Sequence, residues 1–257
     1  MKNSFKHSGA FGDLLYSLPI MKHFKGGDFF LHLNQMDWIG AHFYSAAPAP
    51  FHQGRMREND YEFMKSFMLA QYYINTFEIL DPAATEISHN LDRFRVPFVG
   101  HPGNYVDIYA DVFGIKDSAV KAELRNNPWL TVPIFRQVEN KSVVINRTAR
   151  WTPGEISPQW DAWREQGMEK RAIFVGLPEE HAAFQVAIGW EIDYQPTSTM
   201  LELAEYIAGA DIFIGNQSSC LALAIGLGTK FYCESRTDLP LSRNEVYFPA
   251  HPNGNYF

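Results

Sequence analysis

Three short stretches bring together residue types that can do chemistry. In Ser8-Gly9-Ala10-Phe11-Gly12-Asp13 a glycine-broken turn leads into a helix-like apolar run, with a carboxylate at the junction. Asp13 fits two roles, a helix cap or a general base facing a cleft. A cap is worth about 1 kcal/mol and is served equally by Asn or Ser, whereas proton abstraction needs the carboxylate. The second stretch, Gly215-Asn216-Gln217-Ser218-Ser219-Cys220, runs from an apolar strand pattern into an apolar helix pattern. Such a junction leaves backbone N–H groups unpaired at the positive end of a helix dipole, which suits a phosphate. Ordinary capping by Ser218 or Ser219 is the alternative. In the third stretch, Ile145-Asn146-Arg147-Thr148-Ala149-Arg150, two arginines follow directly on a strand pattern. Ligands of α/β sheets sit at the carboxyl ends of strands, and a guanidinium fork suits a diphosphate. The competing reading is two solvated loop arginines.

Other chemistry is disfavoured by what the sequence lacks. Gly9 and Gly12 are spaced GxxG, without the GxGxxG of a dinucleotide fold, and there is no GxxxxGK[ST] loop. No Asp-x-Asp pair occurs; Glu191-Ile-Asp193 is the nearest and reads as surface. The nine histidines show neither HxxxH nor HxH spacing, so His7, His101 and His181 stay unassigned loop or helix-end residues. The expectation is a protein without metal or other cofactor.

The elements that must position these residues alternate. A strand near Phe5, a helix over 13–24 and a strand over 28–34 come first. An ambiguous stretch over 38–73 follows, ending in an aromatic- and Met-rich segment whose spacing fits a buried helix, with a surface for an acceptor as the alternative. Strands are predicted over 77–80 and 93–99, and a helix over 105–115. Residues 116–141 are polar and carry Pro128 and Pro133, which reads as an interdomain linker. The second half gives a strand over 142–146, a helix over 153–167, a strand over 171–176, helices over 178–189 and 199–210, a strand over 211–216, a helix over 218–228 and a strand over 230–234. The class is α/β with parallel sheets.

Composition narrows the partners. With 257 residues, 46% of them hydrophobic, the chain fits one large domain or two of roughly 120 to 130 residues. A net charge of −7 argues against nucleic acid as a partner. Cys220 and Cys233 make neither a disulfide framework nor a CxxC pair. No run reaches the length of a transmembrane segment and the N-terminus lacks a signal-peptide core, so a cytoplasmic protein is predicted. The sequons at Asn146 and Asn216 then need a different reading.

The stretches over 8–24, 143–156, 173–184 and 197–230 resemble, in that order, glycosyltransferase family 9, the ADP-heptose:lipopolysaccharide heptosyltransferases. The resemblance implies a GT-B architecture of two facing Rossmann-like lobes with parallel sheets and an interlobe cleft. Residues 1–135 would form the acceptor-side lobe, including the linker from about 116, and residues 136–257 the nucleotide-sugar-binding lobe. It implies Asp13 as general base in the Gly-Asp turn with Gly9 and Gly12, Arg147 and Arg150 on the donor diphosphate, Asn216, Gln217, Ser218 and Ser219 as the phosphate loop, and a ribose-contacting acid at Glu179 or Glu180. The family's loop reads G-N-D-S-G-x-x-H, and here Gln217 replaces the acid, Ser219 the glycine and Ala222 the histidine. The expected activity is inverting, metal-independent transfer of a sugar such as a heptose from a nucleotide-sugar donor to a saccharide or other hydroxyl acceptor. The alternatives are a nucleotide-sugar-binding protein without transfer and a sugar-nucleotide epimerase.

Overall fold

The computed structural model describes residues 2–34, 56–96, 101, 103–149, 152–235 and 251–257. The described residues up to Trp129 form one compact unit and those from Leu130 a second.

The first unit is a four-stranded parallel sheet in the order β3-β2-β1-β4, built from β1 (Ser4–His7), β2 (Gly27–Leu31), β3 (Ile74–Ile79) and β4 (His89–Asn90). Helix α1 (Phe11–His23) crosses from β1 to β2 and buries every residue from Leu14 to Met21. Its continuous apolar run is therefore a core helix and not an amphipathic surface one. Helix α2 (Glu58–Leu69) lies in the stretch read as ambiguous and buries Tyr61, Met64, Phe67 and Met68 on one face, as the helical spacing requires.

Two expectations for this unit are corrected. Residues 93–95 are not strand. The Asn90 side chain accepts from the Asp92 N–H at 3.1 Å, which turns the chain into a 3-10 helix over Leu91–Arg95. The linker reading also fails in part, because residues 118–126 form helix α4 (Ser118–Asn126), capped by Asp117 accepting from Ala119 and Val120 N–H. Arg125 holds α4 to helix α3 (Tyr105–Val112) with a two-oxygen contact to Asp107, 2.8 Å to each. No residue of α4 is buried.

The second unit is a six-stranded, wholly parallel sheet of β5 (Val143–Asn146), β6 (Ala172–Phe174), β7 (Asp193–Tyr194), β8 (Ile212–Asn216), β9 (Phe231–Glu234) and β10 (Gly254–Tyr256). Its spatial order is β7-β6-β5-β8-β9-β10. Counted within the unit this is 3-2-1-4-5-6, the order of dinucleotide-binding folds. Helices α5 (Gln159–Glu165), α6 (Pro178–Ile188), α7 (Met200–Gly209) and α8 (Ser219–Leu227) make the crossovers. Helix α5 is half the predicted length and starts after Pro158, a residue type favoured at helix starts. Trp160, Trp163, Phe184 and Trp190 pack edge to face beneath it.

Candidate functional site

Each sheet reverses its strand order once, at β1/β4 in the first unit and at β5/β8 in the second. At such a reversal the crossovers diverge to opposite faces and leave a crevice beyond the carboxyl ends of the strands.

In the first unit this crevice is floored by the turn Ser8–Gly12 and the 3-10 turn after β4. Register pairs Lys6 with Asn90, which places Ser8 beside Asp92. The Ser8 N–H and Oγ donate to Asp92 Oδ1 at 3.1 and 2.8 Å. Arg95, one 3-10 turn on, donates its Nη1 to the same oxygen and sets its Nη2 3.4 Å from Asp13 Oδ2. Lys6 Nζ lies 3.9 Å from Asp92 Oδ2. Burial raises the Asp92 carboxyl, but Arg95 and the Ser8 hydrogen bonds outweigh it and hold it below the ordinary range. Lys6 and Arg95 thus offset Asp13 and Asp92, and the crevice is close to neutral in sum. Asp13 is 23% exposed where Arg95 is 5% and Asp92 fully buried, so the carboxylate that reaches solvent is Asp13.

The cap reading of Asp13 is corrected, since the N-cap of α1 is Ala10 and Asp13 stands third in the helix. There its charge still complements the helix dipole. A second chain of bonds fixes the turn from below. The Gly9 N–H donates to His7 Nδ1 at 2.8 Å, so Nε2 carries the ring proton and donates to Tyr109 Oη at 2.8 Å. Tyr109 in turn donates to the Asp13 carbonyl at 2.9 Å. His7 ends β1 and is fully buried, and burial drops its pKa to about 3. Gly9 is the residue this packing demands, because a Cβ would fall 2.1 Å from Arg95 Nη2 and 2.8 Å from His7 Cε1. Gly12 has open space around it.

In the second unit Arg147 does not sit as a solvated loop arginine. Its Nε and Nη2 bind Glu234 at 2.5 and 3.3 Å, and Trp160 Nε1 donates to the same carboxylate at 2.9 Å. Arg147 is 6% exposed and Glu234 is fully buried. Register explains the pairing, since Asn146 lies beside Gly215 and Asn216 beside Glu234. Arg150 lies outside the described residues. Asn216 clamps the loop after β5, accepting from Thr148 N–H at 3.0 Å and donating to the Thr148 carbonyl at 2.6 Å. Asn146 donates to the Val175 carbonyl at 2.9 Å and accepts from Ser218 Oγ at 3.1 Å. Both sequon asparagines are therefore buried braces between strands. Gln217 is likewise buried.

Ser218 holds the N-cap position of α8, yet its hydroxyl goes to Asn146 and no side chain caps the helix. The first-turn N–H groups of α8, beginning at Ser219, keep their capacity for an anion. Of the two acids on the first turn of α6, Glu179 is exposed, while Glu180 is half-buried and accepts from the Leu177 N–H at 3.1 Å. Burial lifts the Glu180 carboxyl above its ordinary value. Gly176 makes room for it, with φ of +121° and a Cβ position 2.5 Å from Asn146 Nδ2 and 2.8 Å from Glu180 Oε2. Asp92, Arg95 and Glu234 were missed by sequence reasoning. The three-residue spacing of Asp92 and Arg95 is a helical-turn signal hidden in a segment that otherwise reads as strand.

No family model matches the chain, and no curated protein matches it in sequence. Solved structures do. The glycosyl transferase family 9 protein of Veillonella parvula aligns with a TM-score of 0.62 at 11% identity, over 100% of this chain and 85% of that one. ADP-heptose lps heptosyltransferase II of E. coli aligns at 0.58 and 11%, over 100% and 90%. The dodecameric iron-containing heptosyltransferase TibC, solved with ADP-D-beta-D-heptose, aligns at 0.56 and 16%, over 96% and 61%. The chain therefore has the fold of the family that its motifs resemble.

The same comparison overturns the expectation of a protein without metal or cofactor, since a heptosyltransferase of this fold is iron-containing. Metal ligands are assembled by folding from residues distant in sequence, so the missing His and Asp-x-Asp spacings never had the power to exclude one. Among the described residues no group of three or more His, Cys, Asp or Glu is placed to hold a metal ion, so these residues do not fit an iron site. Among them, too, no helix is long and apolar enough to cross a membrane.

Proposed function

We propose that the chain is an inverting glycosyltransferase, moving a sugar from a nucleoside-diphosphate donor to a hydroxyl acceptor with Asp13 as general base. The observation that carries this is the Asp13 carboxylate, solvent-reaching among buried partners at a strand-order reversal, in a fold shared with heptosyltransferases. The acceptor oxygen forms its bond to the anomeric carbon as the bond to the diphosphate breaks, and the hydroxyl proton goes to Asp13. One base and one displacement invert the anomeric centre. In the second unit the uncapped N-terminus of α8, at Ser218 and Ser219, takes the diphosphate, and Glu180, not the exposed Glu179, takes the ribose. Arg147 braces the site through Glu234 and is not itself a phosphate ligand, because the buried carboxylate already balances its charge. An adenine nucleotide is the leading donor, by analogy with the ADP-heptose in TibC.

Two observations favour a second reading, binding without transfer: Arg147 is neutralised, and Gln217 stands where the family has an acid. Thermal shift followed by product analysis tests both readings. A ligand at a hundredfold excess over its Kd stabilises by about 2.7 kcal/mol, which raises Tm by roughly 2 to 4 °C per kcal/mol in a chain of this size. ADP is expected to exceed GDP, UDP, CDP and dTDP, with AMP well behind. With ADP-heptose and an acceptor, a new glycosidic bond supports transfer, binding without turnover supports the second reading, and free epimerised sugar refutes both. If no diphosphate shifts the melt, the donor site is wrong.

A further inference from the structure

Arg95 touches both Asp13 and Asp92. Its Nη1 is anchored on the fully buried Asp92, which is itself fixed by two hydrogen bonds from Ser8, and its Nη2 reaches Asp13 at 3.4 Å. The guanidinium is 5% exposed, so a ligand has little access to it. Gly9 leaves the space through which Nη2 passes.

We infer that Arg95 is a positioning residue for Asp13 and that Asp92 is its brace: together they fix where the Asp13 carboxylate points and keep it ionised between turnovers. The inference rests on the reading of Asp13 as the base. An opposite charge within about 4 to 6 Å favours the charged form of a carboxylate. Arg95 therefore keeps Asp13 ready to receive a proton at neutral pH, at some cost in basicity. Asp92 limits that cost, because its own negative charge is shared with the same guanidinium. Tyr109 from α3 also faces Asp13, while Lys6 and His7 from β1 face Asp92, with His32 after β2 feeling the charges of Lys6 and Asp92. His7 is neutral and Tyr109 is held protonated by burial, so neither adds a charge beside Asp13, where the Arg95 guanidinium and the Asp92 carboxylate behind it carry theirs.

The test is an NMR pH titration of the full chain carrying 13Cγ-labelled aspartate, with the Asp13 resonance identified by its loss in Asp13→Asn. Against wild type, Arg95→Met is expected to move the Asp13 midpoint to higher pH and Asp92→Asn to lower pH, while Arg95→Lys returns it toward wild type. A purely structural role for the pair predicts no such opposition of sign. Should Arg95→Met not fold by circular dichroism, Gly9→Ala replaces it. Its methyl group displaces Nη2 without removing a charge, and the same upward movement is expected. An unmoved midpoint in the Arg95 and Gly9 variants, or movement of Arg95→Met and Asp92→Asn in the same direction, overturns the inference. The titration needs no substrate, so it stands apart from turnover: an active Asp13→Asn would sink the base reading, whatever the midpoints do.

Discussion

Mild acid destabilises this protein through His7 before its carboxylates are reached. The ring is buried, accepts from the Gly9 N–H and donates to Tyr109, so the folded state holds it neutral with a pKa of about 3. In the unfolded chain it titrates near 6.5. Because the folded value is the lower one, the unfolded state binds more protons below pH 6.5, and stability present above that pH is lost as pH falls toward 3. Between pH 7.5 and 5.0 the loss is 1.36 × log(1 + 10^1.5), about 2 kcal/mol. That figure needs only a folded value well below 5. The low carboxyl of Asp92 acts in the same direction, but below its ordinary value of 3.8 and so outside this window. Urea unfolding of wild type and His7→Gln at both pH values isolates the His7 contribution, since the histidines common to both cancel. Glutamine can accept from Gly9 and donate to Tyr109, and any fixed packing cost drops out of the slope. Wild type is expected to lose about 2 kcal/mol more than the variant over the window. Parallel losses would refute the buried neutral imidazole and, with it, the bond chain to the Asp13 carbonyl.

Other perturbations follow from the same geometry. Asp13→Asn keeps the first-turn position but cannot take a proton, so turnover with a working donor–acceptor pair falls at least about a hundredfold while the melt stays close to wild type; unchanged turnover removes Asp13 from the chemistry. Arg147→Met leaves Glu234 buried and unbalanced and costs about 3 to 5 kcal/mol in urea unfolding. Adding Glu234→Gln, which still accepts from Trp160, recovers most of that loss. Tyr109→Phe strands the His7 Nε2–H and costs about 1 to 3 kcal/mol by the same assay. Asp117→Ala removes the cap of α4 and costs about 1 kcal/mol, read as a fall in Tm.

Much of the fold was legible because its signals are local. Apolar runs such as Val143–Asn146 and Ile212–Asn216 bury both faces of a parallel strand and read as continuous hydrophobic stretches. Caps and glycine stops, Thr199 before α7 and Gly228 after α8, punctuate helices wherever they sit. The Gly-Asp turn and the Asn216–Ser219 junction could be named for the same reason: a turn that ends a strand and opens a helix is written in adjacent residues. What a charged side chain meets across the sheet is not written there. Arg147 became a buried brace because parallel register sets Asn216 beside Glu234, 87 residues from the arginine. Arg95 and Asp92 came under Asp13 because β4 pairs with β1, a partnership formed over some 80 residues of intervening chain. Strand pairing is non-local and moves by whole residues, so one register step would exchange every one of these partners. The sequence by itself determined most of the elements, the crevice-forming turns and the presence of a carboxylate at residue 13. Only the tertiary structure decided which charges stay buried against each other and which one reaches solvent.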